Sequence, residues 1–594
     1  MAQETSVTAD LVAGFARHPD REALVFQPGG SPAAAVRVSF GGLDRRARAA
    51  AARLQRLGAE GRQVMVAMEP GVDLVAALLG CLYAGAVAVP APPPGRSRAA
   101  AERTAVIAKD AAVHLVLTQA ALAGEFSRLL ALAGRPDVLC VAADAPGEPT
   151  DADAWRMPRL GGDDLALIQY TSGTTSAPRG VRISHANLAA AMRSVHAALG
   201  TTSSSRIGGW LPYYHDLGLI GQLLHPLWLG ATAVLMPPEL YLARPAHWLE
   251  AVTRHGVTVA AAPDSAYARC VAEVSDEELA GLDLSRWELA VDAAESVHAG
   301  TLAAFNRRFA AAGLRSGTLA PAYGLAEATL LVSTAAGRPV APVPVDALEL
   351  AHGRLAPAGP GAEAQLLVGS GRAAPGVELA VVEPGSRVEL PPGAVGEILV
   401  RGPMVSAGYW NRKLETAADF GLRTASGRSG FLATGDLGAL YRGELHVIGR
   451  IKDVLKVDGR ALHPQEVERQ LLGCGAQLSS AAVFAVGGTR EQLVVVQEVR
   501  TAGRAHGDRP AQVARVRRCL AEEFGATAEG VVLVRPGTVR RTTSGKIRRS
   551  VMREQFLQGE IRPLYAEFST ELERTLPVGA LGAAPALQAG PSRY

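Results

Sequence analysis

The stretch from Leu165 to Leu188 constrains the fold most, because an apolar run leads through a polar turn into the start of a helix. The apolar run predicts a buried strand. The turn carries four hydroxyl groups and a glycine, so side-chain and backbone donors can converge on an anion. Its residues are Thr171, Ser172, Gly173, Thr174 and Thr175. Arg179 adds a fixed positive charge, and Ser184 can cap a helix that begins near His185.

The spacing of this turn is not that of a Walker-type phosphate loop. Taken alone, the turn also fits an ordinary surface loop, since turns rich in serine and threonine are common. The choice between a phosphate site and a plain turn therefore depends on the rest of the chain.

Helix-like and strand-like segments alternate from the N-terminal region to about residue 330. Residues 64–68 predict a strand, residues 72–83 a helix and residues 86–89 another strand, which together form a βαβ unit. Ser39 can cap an earlier helix whose apolar residues fall on one face. This pattern predicts an α/β fold with layered, largely parallel sheets.

The pattern changes twice further along the chain. Residues 337–376 are rich in proline and glycine and predict a loop-rich insertion. From Val377 onward, short apolar segments predict a small antiparallel or barrel-like β subdomain. Beyond Gly449 the segments predict a compact α+β domain. We therefore expect a large domain at 1–449, a small C-terminal domain at 450–575 and a disordered tail at 576–594.

Composition and hydropathy exclude several classes of protein. The chain has 594 residues, a formal net charge of +3 and a charged fraction of 20%, which is typical of a globular protein and gives no sign of nucleic-acid binding. The longest uncharged apolar run, 74–89, is shorter than the roughly 20 residues of a membrane-spanning helix. The N-terminus lacks the features of a signal peptide. We expect a cytoplasmic protein without a membrane span.

The five cysteines are scattered along the chain, and no two of them show the CxxC spacing. They are Cys81, Cys140, Cys270, Cys474 and Cys519. This arrangement predicts neither a zinc site nor a disulfide framework, and it favours a reducing compartment.

A second segment, residues 209–230, places His215 and Asp216 next to each other inside an aromatic and aliphatic stretch. A lone histidine in such a stretch is also compatible with a purely structural role. The same segment contains Trp210, Leu219 and Ile220. Its apolar side chains could form the wall that a lipid chain requires.

Three further segments carry side chains suited to a nucleotide. The segment at 290–297 and the one at 320–330 combine an aromatic face, which suits a base, with carboxylates, which suit a hard cation. The carboxylate of Asp436, in the segment 432–440, offers two acceptor oxygens for a vicinal diol. Residues 540–550 hold Lys546 among arginines, although this run alone also fits a plain basic surface or a nucleic-acid patch.

Read in order, these segments resemble the motifs of the adenylate-forming superfamily, and the resemblance covers residues 165–550. It implies ATP and Mg²⁺ as cofactors, a magnesium ion held by Glu327, and a small domain that rotates about Lys452 to bring Lys546 to the reaction centre. Glu327, Lys546 and His215 are thereby the implied catalytic residues. The implied nucleotide-binding residues are Thr171, Ser172, Gly173, Thr174, Thr175, Arg179, Asp292, Ala294, Tyr323, Gly324, Asp436 and Arg450.

Within that superfamily, the segment at 214–221, the insertion and the later segment at 408–420 look most like the fatty-acyl-AMP ligases. This resemblance implies that a fatty acid is activated to an acyl-adenylate and passed to the thiol of an acyl carrier protein, and that the insertion disfavours free coenzyme A. The implied acyl-binding residues are Trp210, His215, Asp216, Leu219 and Ile220.

Two alternatives stay open at this point. One is an acyl-CoA synthetase that uses free coenzyme A, and the other is an inactive nucleotide-binding scaffold. The chain departs from the family pattern at several positions. Arg179 stands where lysine is common, residues 175–177 lack the usual second glycine, and Asp292 stands where asparagine is frequent. Glu327, Asp436 and Lys546 all match, so we expect activity.

Overall fold

The computed structural model of the protein describes residues 6–31, 34–94, 98–144, 151–171, 178–361, 364–457, 460–475, 478–487, 491–500, 508–541 and 546–576. The tail expected to be disordered lies outside these ranges from residue 577 onward.

The helices and strands are numbered in chain order. The helices are α1 (Val7–Arg17), α2 (Phe40–Arg56), α3 (Val72–Tyr83), α4 (Arg98–Asp110), α5 (Ala120–Leu132), α6 (His185–Leu199), α7 (His225–Leu229), α8 (Pro238–Ala243), α9 (Ala246–His255), α10 (Asp264–Glu273), α11 (Asp276–Ala280), α12 (Ala299–Phe309), α13 (Ala347–Ala351), α14 (Lys413–Asp419), α15 (Pro464–Gly473), α16 (Arg509–Phe524), α17 (Arg549–Leu557) and α18 (Thr570–Thr575). The strands are β1 (Glu22–Phe26), β2 (Val36–Ser39), β3 (Gln63–Val66), β4 (Val87–Pro90), β5 (Leu115–Thr118), β6 (Leu139–Ala142), β7 (Leu165–Tyr170), β8 (Gly180–Ser184), β9 (Arg206–Gly209), β10 (Thr232–Leu235), β11 (Val259–Ala262), β12 (Leu289–Asp292), β13 (Leu319–Gly324), β14 (Leu331–Thr334), β15 (Val343–Asp346), β16 (Ala364–Leu367), β17 (Arg372–Ala373), β18 (Glu378–Val382), β19 (Gly396–Arg401), β20 (Leu422–Arg423), β21 (Ser429–Tyr441), β22 (Glu444–Arg450), β23 (Leu455–Val457), β24 (Arg460–Leu462), β25 (Leu478–Val486), β26 (Gln492–Val499), β27 (Gly530–Val534) and β28 (Tyr565–Phe568).

A six-stranded sheet contains the strand that leads into the polar turn. Its order is β6-β5-β3-β4-β7-β8, and every neighbouring pair except the antiparallel pair β7–β8 is parallel. The predicted strand at 165–170 is confirmed as β7, and five of its six residues are buried. Ser184 caps α6 through a reciprocal capping box with Asn187, as its position before His185 predicts.

A nine-stranded sheet, in the order β17-β14-β13-β12-β11-β9-β10-β1-β2, forms the second layer. Its central pairs from β13 to β1 are parallel, and antiparallel strands close its edges. One apolar core spans both sheets, since Leu167 of the first sheet, Leu188 of α6 and Val291 of the second belong to it. Helix α3 follows its prediction residue for residue and is buried from Leu74 onward. The expected layered α/β architecture is confirmed.

The β subdomain after Val377 is also confirmed. Strands β18, β19, β21, β20 and β22 form a five-stranded antiparallel sheet. The insertion at 337–376 holds more regular structure than its proline and glycine content predicts, because β15 and β16 form an antiparallel pair and α13 follows β15. Val345, Leu350 and Leu355 pack against Ala439 of β21 and anchor the insertion on this sheet.

The small C-terminal part is a four-stranded sheet, β25-β26-β27-β28, with helices on both faces. Val467 of α15 and Val516 of α16 pack on one face, and Met552 and Phe556 of α17 pack on the other. The expected α+β organisation is therefore present. Among the described residues, no helix has the length and apolar character needed to cross a membrane.

The expectation that no disulfide would form is wrong. Cys474, which follows α15, is bonded to Cys519 of α16, and their Cα atoms lie 6.5 Å apart. The two cysteines are 45 residues apart in sequence, so no short cysteine motif predicts the disulfide. The bond joins the two helices that cover one face of the small sheet, whereas Cys81, Cys140 and Cys270 are free.

We predict that reduction of Cys474–Cys519 destabilises the small C-terminal part by about 2–4 kcal/mol, because the bond restricts the unfolded chain. Thiol titration of denatured protein should give three thiols before reduction and five after it. Addition of reductant should lower the unfolding temperature of the wild type and leave that of the Cys474→Ser/Cys519→Ser double variant unchanged. Cys140→Ser is the control, and five thiols without reductant would contradict the prediction.

Candidate active site

The polar turn begins where β7 ends and closes where β8 begins. The amide of Thr171 donates to the carbonyl oxygen of Arg179 at 3.0 Å, which holds the two ends of the turn together. A guanidinium nitrogen of Arg103, from α4, donates to the carbonyl oxygen of Thr171 at 3.1 Å. Ser172, Gly173, Thr174 and Thr175 lie outside the described residues, so their predicted contact with phosphate stays a prediction.

Arg179 lies at the centre of a charged group beside the turn. Its guanidinium is 3.3 Å from the carboxylate of Asp419 and 4.0 Å from that of Glu327. The same group lies 4.4 Å from the ring centroid of Tyr409, a cation–π contact. The Tyr409 hydroxyl lies 3.0 Å from Glu327 Oε1 and 3.2 Å from Asp419 Oδ2. The structure thus places the predicted phosphate and magnesium residues next to each other.

The environment of Glu327 fits a magnesium ion shared with a nucleotide. Its carboxylate is buried in a short 3₁₀ turn, Ala326–Ala328. No group of three or more histidine, cysteine, aspartate or glutamate side chains suited to a metal occurs among the described residues. Magnesium is commonly bound by one or two carboxylates together with substrate phosphates and water. Glu327 could therefore hold the ion once phosphate oxygens complete the coordination.

Asp436 connects two sheets at the predicted ribose position. The Tyr323 hydroxyl donates to Asp436 Oδ2 at 2.6 Å, and Arg450 Nε lies 3.0 Å from Oδ1. Asp436 and Arg450 face each other across the β21–β22 pair, so backbone register places them together. Gly324 follows Tyr323 where a side chain would collide, because an added Cβ would lie 1.9 Å from the Leu330 carbonyl oxygen. A close backbone approach therefore explains this glycine.

Asp292 is fully buried at the end of β12. Burial raises its pKa well above the usual range, and the neighbouring charges of Asp264 and Glu295 raise it further. Neither carboxyl oxygen of Asp292 has a hydrogen-bond partner among the described residues. Burial also raises the pKa of the neighbouring Asp264. Ala294 follows with φ +71°, a conformation that a non-glycine residue rarely adopts and that is frequent at functional sites. The predicted contact between Asp292 and adenine stays a prediction.

His215 and Asp216 precede a π-helical segment, Leu217–Leu224, a form that is frequent at functional sites. Asp216 Oδ1 accepts the Leu217 amide at 2.8 Å. Burial lowers the pKa of His215 to about 3, and the charges of Arg103 and Lys546 lower it further. His215 is therefore neutral at physiological pH, and a hydrogen bond is available without an added positive charge.

The apolar residues assigned to the acyl group do not all lie together. Leu219 and Ile220 are buried in the core between the two large sheets. Trp210 belongs to a separate aromatic cluster, where its ring stacks on Tyr241 with the centroids 3.9 Å apart. The structure thus brings His215 and Asp216 to the charged site and places Trp210 in a core. Their roles in acyl binding stay predictions.

Lys546 of the C-terminal part lies in the large part's charged cleft. Burial lowers the pKa of its ammonium, and Arg450 lowers it further, whereas Asp436, Glu295 and Asp216 oppose the shift. Lys546 also interacts electrostatically with His215. The structure therefore brings Lys546, Asp216 and Asp436 together from distant parts of the sequence. Lys452, the predicted hinge, lies in the 3₁₀ turn Ile451–Asp453 between β22 and β23.

Sequence reasoning missed Tyr409, Asp419 and Arg103. Tyr409 and Asp419 lie in a segment whose likeness to the family indicated a branch and no role. A backbone bridge between Val181 and Tyr409 fixes the segment that carries Tyr409 and Asp419. Periodicity in the sequence does not predict a contact between residues so far apart. No sequence signal singled out Arg103.

The parallel sheets, the small C-terminal part and the charged cleft define an adenylate-forming enzyme. The family model described as AMP-binding enzyme matches residues 12–410. The chain is 36% identical over 545 residues to the medium-chain-fatty-acid–acyl-carrier-protein ligase JamA of Moorena producens, covering 88% of this chain and 90% of that protein. The chain belongs to the AMP-binding enzyme family and, within it, to the fatty-acyl-AMP ligases.

Two further comparisons agree with this assignment. A fatty acid AMP ligase from Legionella pneumophila has a crystal structure that matches with a TM-score of 0.73 at 30% identity, covering 95% of this chain and 98% of that chain. A 4-hydroxyphenylalkanoate adenylyltransferase of Mycobacterium tuberculosis is 33% identical, covering 95% of this chain and 94% of that protein. The named acids thus differ between relatives, while the adenylate-forming chemistry is common to them.

We predict that Asp292→Asn stabilises the protein increasingly as the pH rises. The folded state keeps a proton on Asp292 that the unfolded chain releases above about pH 4. The free energy of unfolding therefore falls as the pH rises from that value toward the raised folded-state pKa, by about 1.4 kcal/mol for each pKa unit of difference. Asparagine stays uncharged at every pH, so the variant avoids this loss. The unfolding temperature of the Asp292→Asn variant should exceed that of the wild type by more at pH 8 than at pH 5.

The control for this prediction is Asp163→Asn, which changes an exposed aspartate in a turn. It should leave the pH dependence of the unfolding temperature unchanged. An Asp292→Asn protein whose unfolding temperature runs parallel to that of the wild type from pH 5 to pH 8 would show that Asp292 is ionised in the folded state.

Proposed function

We propose that the protein uses ATP and Mg²⁺ to activate a fatty acid as acyl-adenylate with release of pyrophosphate, and then passes the acyl group to the phosphopantetheine thiol of an acyl carrier protein. The observation that carries this proposal is the position of Lys546 among Asp216, Asp436 and Arg450. A lysine from the C-terminal part is thereby held at the cleft in which the nucleotide residues meet.

In the first half-reaction, a carboxylate oxygen of the fatty acid attacks the α-phosphorus of ATP, and the bond to the pyrophosphate oxygen breaks. Both reacting groups are anionic, so a cation between them lowers the barrier. We assign this role to Lys546. Neutral His215 would donate a hydrogen bond to the acid, and Asp436 with Arg450 would hold the ribose. Magnesium on Glu327 would neutralise phosphate charge when bound.

The domain boundary at 449/450 and the hinge at Lys452 are part of the same proposal. Contacts between the two parts support it. Ser296 of the large part lies 3.2 Å from Gln465 of α15, measured between side-chain oxygens, and Gln365 of the insertion donates to Glu466 of the same helix. Rotation about Lys452 would break these contacts and withdraw Lys546, as in other lid-type motions.

The acceptor thiol is the point on which the two enzymatic alternatives differ. JamA is named as a ligase acting on acyl carrier protein, and the insertion of this chain contacts both the β subdomain and α15. We therefore favour a carrier protein over free coenzyme A. The substrate acid can be identified by assaying a panel of medium-chain fatty acids, long-chain fatty acids and 4-hydroxyphenylalkanoic acids.

We predict that the purified enzyme catalyses ATP–pyrophosphate exchange with at least one acid of that panel. With the preferred acid, acyl-adenylate should accumulate in the presence of coenzyme A, and thioester should form only when a phosphopantetheinylated carrier is added. The unmodified carrier is the control. Rapid acyl-CoA formation would support the synthetase alternative, and no exchange with any acid would support the scaffold alternative.

We predict that Lys546→Ala lowers adenylation about 10²- to 10³-fold, because a preorganised charge at the reacting phosphate is lost. Attack of a thiol on preformed acyl-adenylate requires no bridge between two anions, so transfer from synthetic acyl-adenylate to the carrier should stay near the wild-type rate. Single-turnover assays measure both steps. Lys109→Ala, which changes an exposed lysine of α4, is the control. Equal loss of both steps would contradict this division.

A further inference from the structure

We propose that Asp419 is a positioning residue that competes with the phosphates of ATP for the guanidinium of Arg179, and so limits how tightly the site holds ATP and pyrophosphate. The inference rests on the proposed function, because it takes ATP as the nucleotide. Asp419 would act only through Arg179.

The ion pair is the first observation. Arg179 Nη1 donates to Asp419 Oδ2 at 3.3 Å. Both side chains are about one-third exposed, so a dissolved anion can reach the pair. Because two-thirds of each side chain is buried, salt screens the attraction between the two charges only partly. A phosphate that approaches Arg179 therefore meets a guanidinium whose charge is already partly compensated.

The position of the pair is fixed by the backbone. The Trp410 amide donates to the Gly180 carbonyl oxygen at 2.7 Å, and the Arg182 amide donates to the Gly408 carbonyl oxygen at 3.0 Å. These bonds attach the segment that contains Tyr409 to β8, directly after Arg179. The Tyr409 amide in turn donates to the Thr416 hydroxyl of α14 at 3.0 Å. Asp419, at the end of α14, is thereby held over Arg179.

An arginine suits this arrangement better than a lysine. A planar guanidinium can lie over the Tyr409 ring, where the separation is 4.4 Å, donate to Asp419 at one edge and keep other N–H groups for phosphate. A lysine ammonium can pair with Asp419, but it has no flat face to lie on the Tyr409 ring and no planar fork that contacts a carboxylate and a phosphate in one fixed geometry. Arg179 and Asp419 therefore form one functional unit in this chain.

Tyr409 connects this unit to the magnesium position. Its hydroxyl has one proton and lies within hydrogen-bond distance of both Glu327 and Asp419. It can donate to only one of them at a time. When Glu327 is engaged by a metal ion, donation to Asp419 is favoured, and this donation weakens the hold of Asp419 on Arg179. Metal at Glu327 would thus make Arg179 more available to phosphate.

The test compares nucleotide affinity in matched variants. Asp419→Asn keeps the shape and an acceptor for Tyr409 but removes the charge. We expect the Kd for ATP, measured by titration calorimetry, and the inhibition constant of pyrophosphate to fall two- to tenfold, with kcat unchanged or lower. Asp419→Glu should restore the wild-type constants. Glu415→Gln, on the same helix and exposed, is the control and should change neither constant.

The background variant Arg179→Gln shows whether Asp419 acts through Arg179. In that background, Asp419→Asn should no longer change ATP affinity. Tyr409→Phe should reduce the gain in ATP affinity that magnesium produces. Asp419→Ser replaces the asparagine variant if that variant does not fold.

Weaker ATP binding by Asp419→Asn, or an effect of the same size in the Arg179→Gln background, would overturn the proposal. Wild-type exchange assays are run in parallel, so that a failure of the proposed function is recognised separately. An enzyme that binds ATP but exchanges pyrophosphate with no acid would contradict the function, while the calorimetric comparison would still decide the role of Asp419.

Discussion

The carboxylate of Asp436 joins three parts of the molecule. It accepts a hydrogen bond from Tyr323 at the end of the nine-stranded sheet, pairs with Arg450 across the β subdomain, and attracts Lys546 from the C-terminal part. Each of these partners would be costly to bury alone, because a charged or polar group without a partner loses its hydration. The arrangement of the cleft therefore depends on one anion that is shared by sheets and domains.

Local patterns predicted much of the fold. Strand β7 and helix α3 follow their expected limits because each is a mostly apolar run that is buried almost throughout, and α6 begins at His185 because Ser184 supplies a cap. The disulfide Cys474–Cys519 and the contact between Arg179 and Asp419 could not be predicted in this way. They depend on how distant segments pack, and neither leaves a periodic trace in the sequence.

The candidate site also combines residues that the sequence located with features that only tertiary packing creates. Resemblance located Glu327, Asp436, Arg450 and Lys546, and the structure gathers them, although their roles await experiment. It could not show that the pKa of Asp292 is raised, because this shift follows from burial and from charges contributed by different elements. The segment 209–230 predicts Trp210 as an acyl-binding residue, and in the structure its ring stacks on Tyr241 in an aromatic core.

Lys546 belongs to a residue type that this chain rarely uses. Of the 60 lysine and arginine residues, only five are lysines, and three of these, Lys452, Lys456 and Lys546, lie beyond residue 449. Arginine keeps its charge and presents a broad planar fork, whereas lysine is compact and can release its proton when buried. A sequence that uses arginine almost everywhere else thus retains the smaller, titratable cation at the position that reaches from one domain into the other.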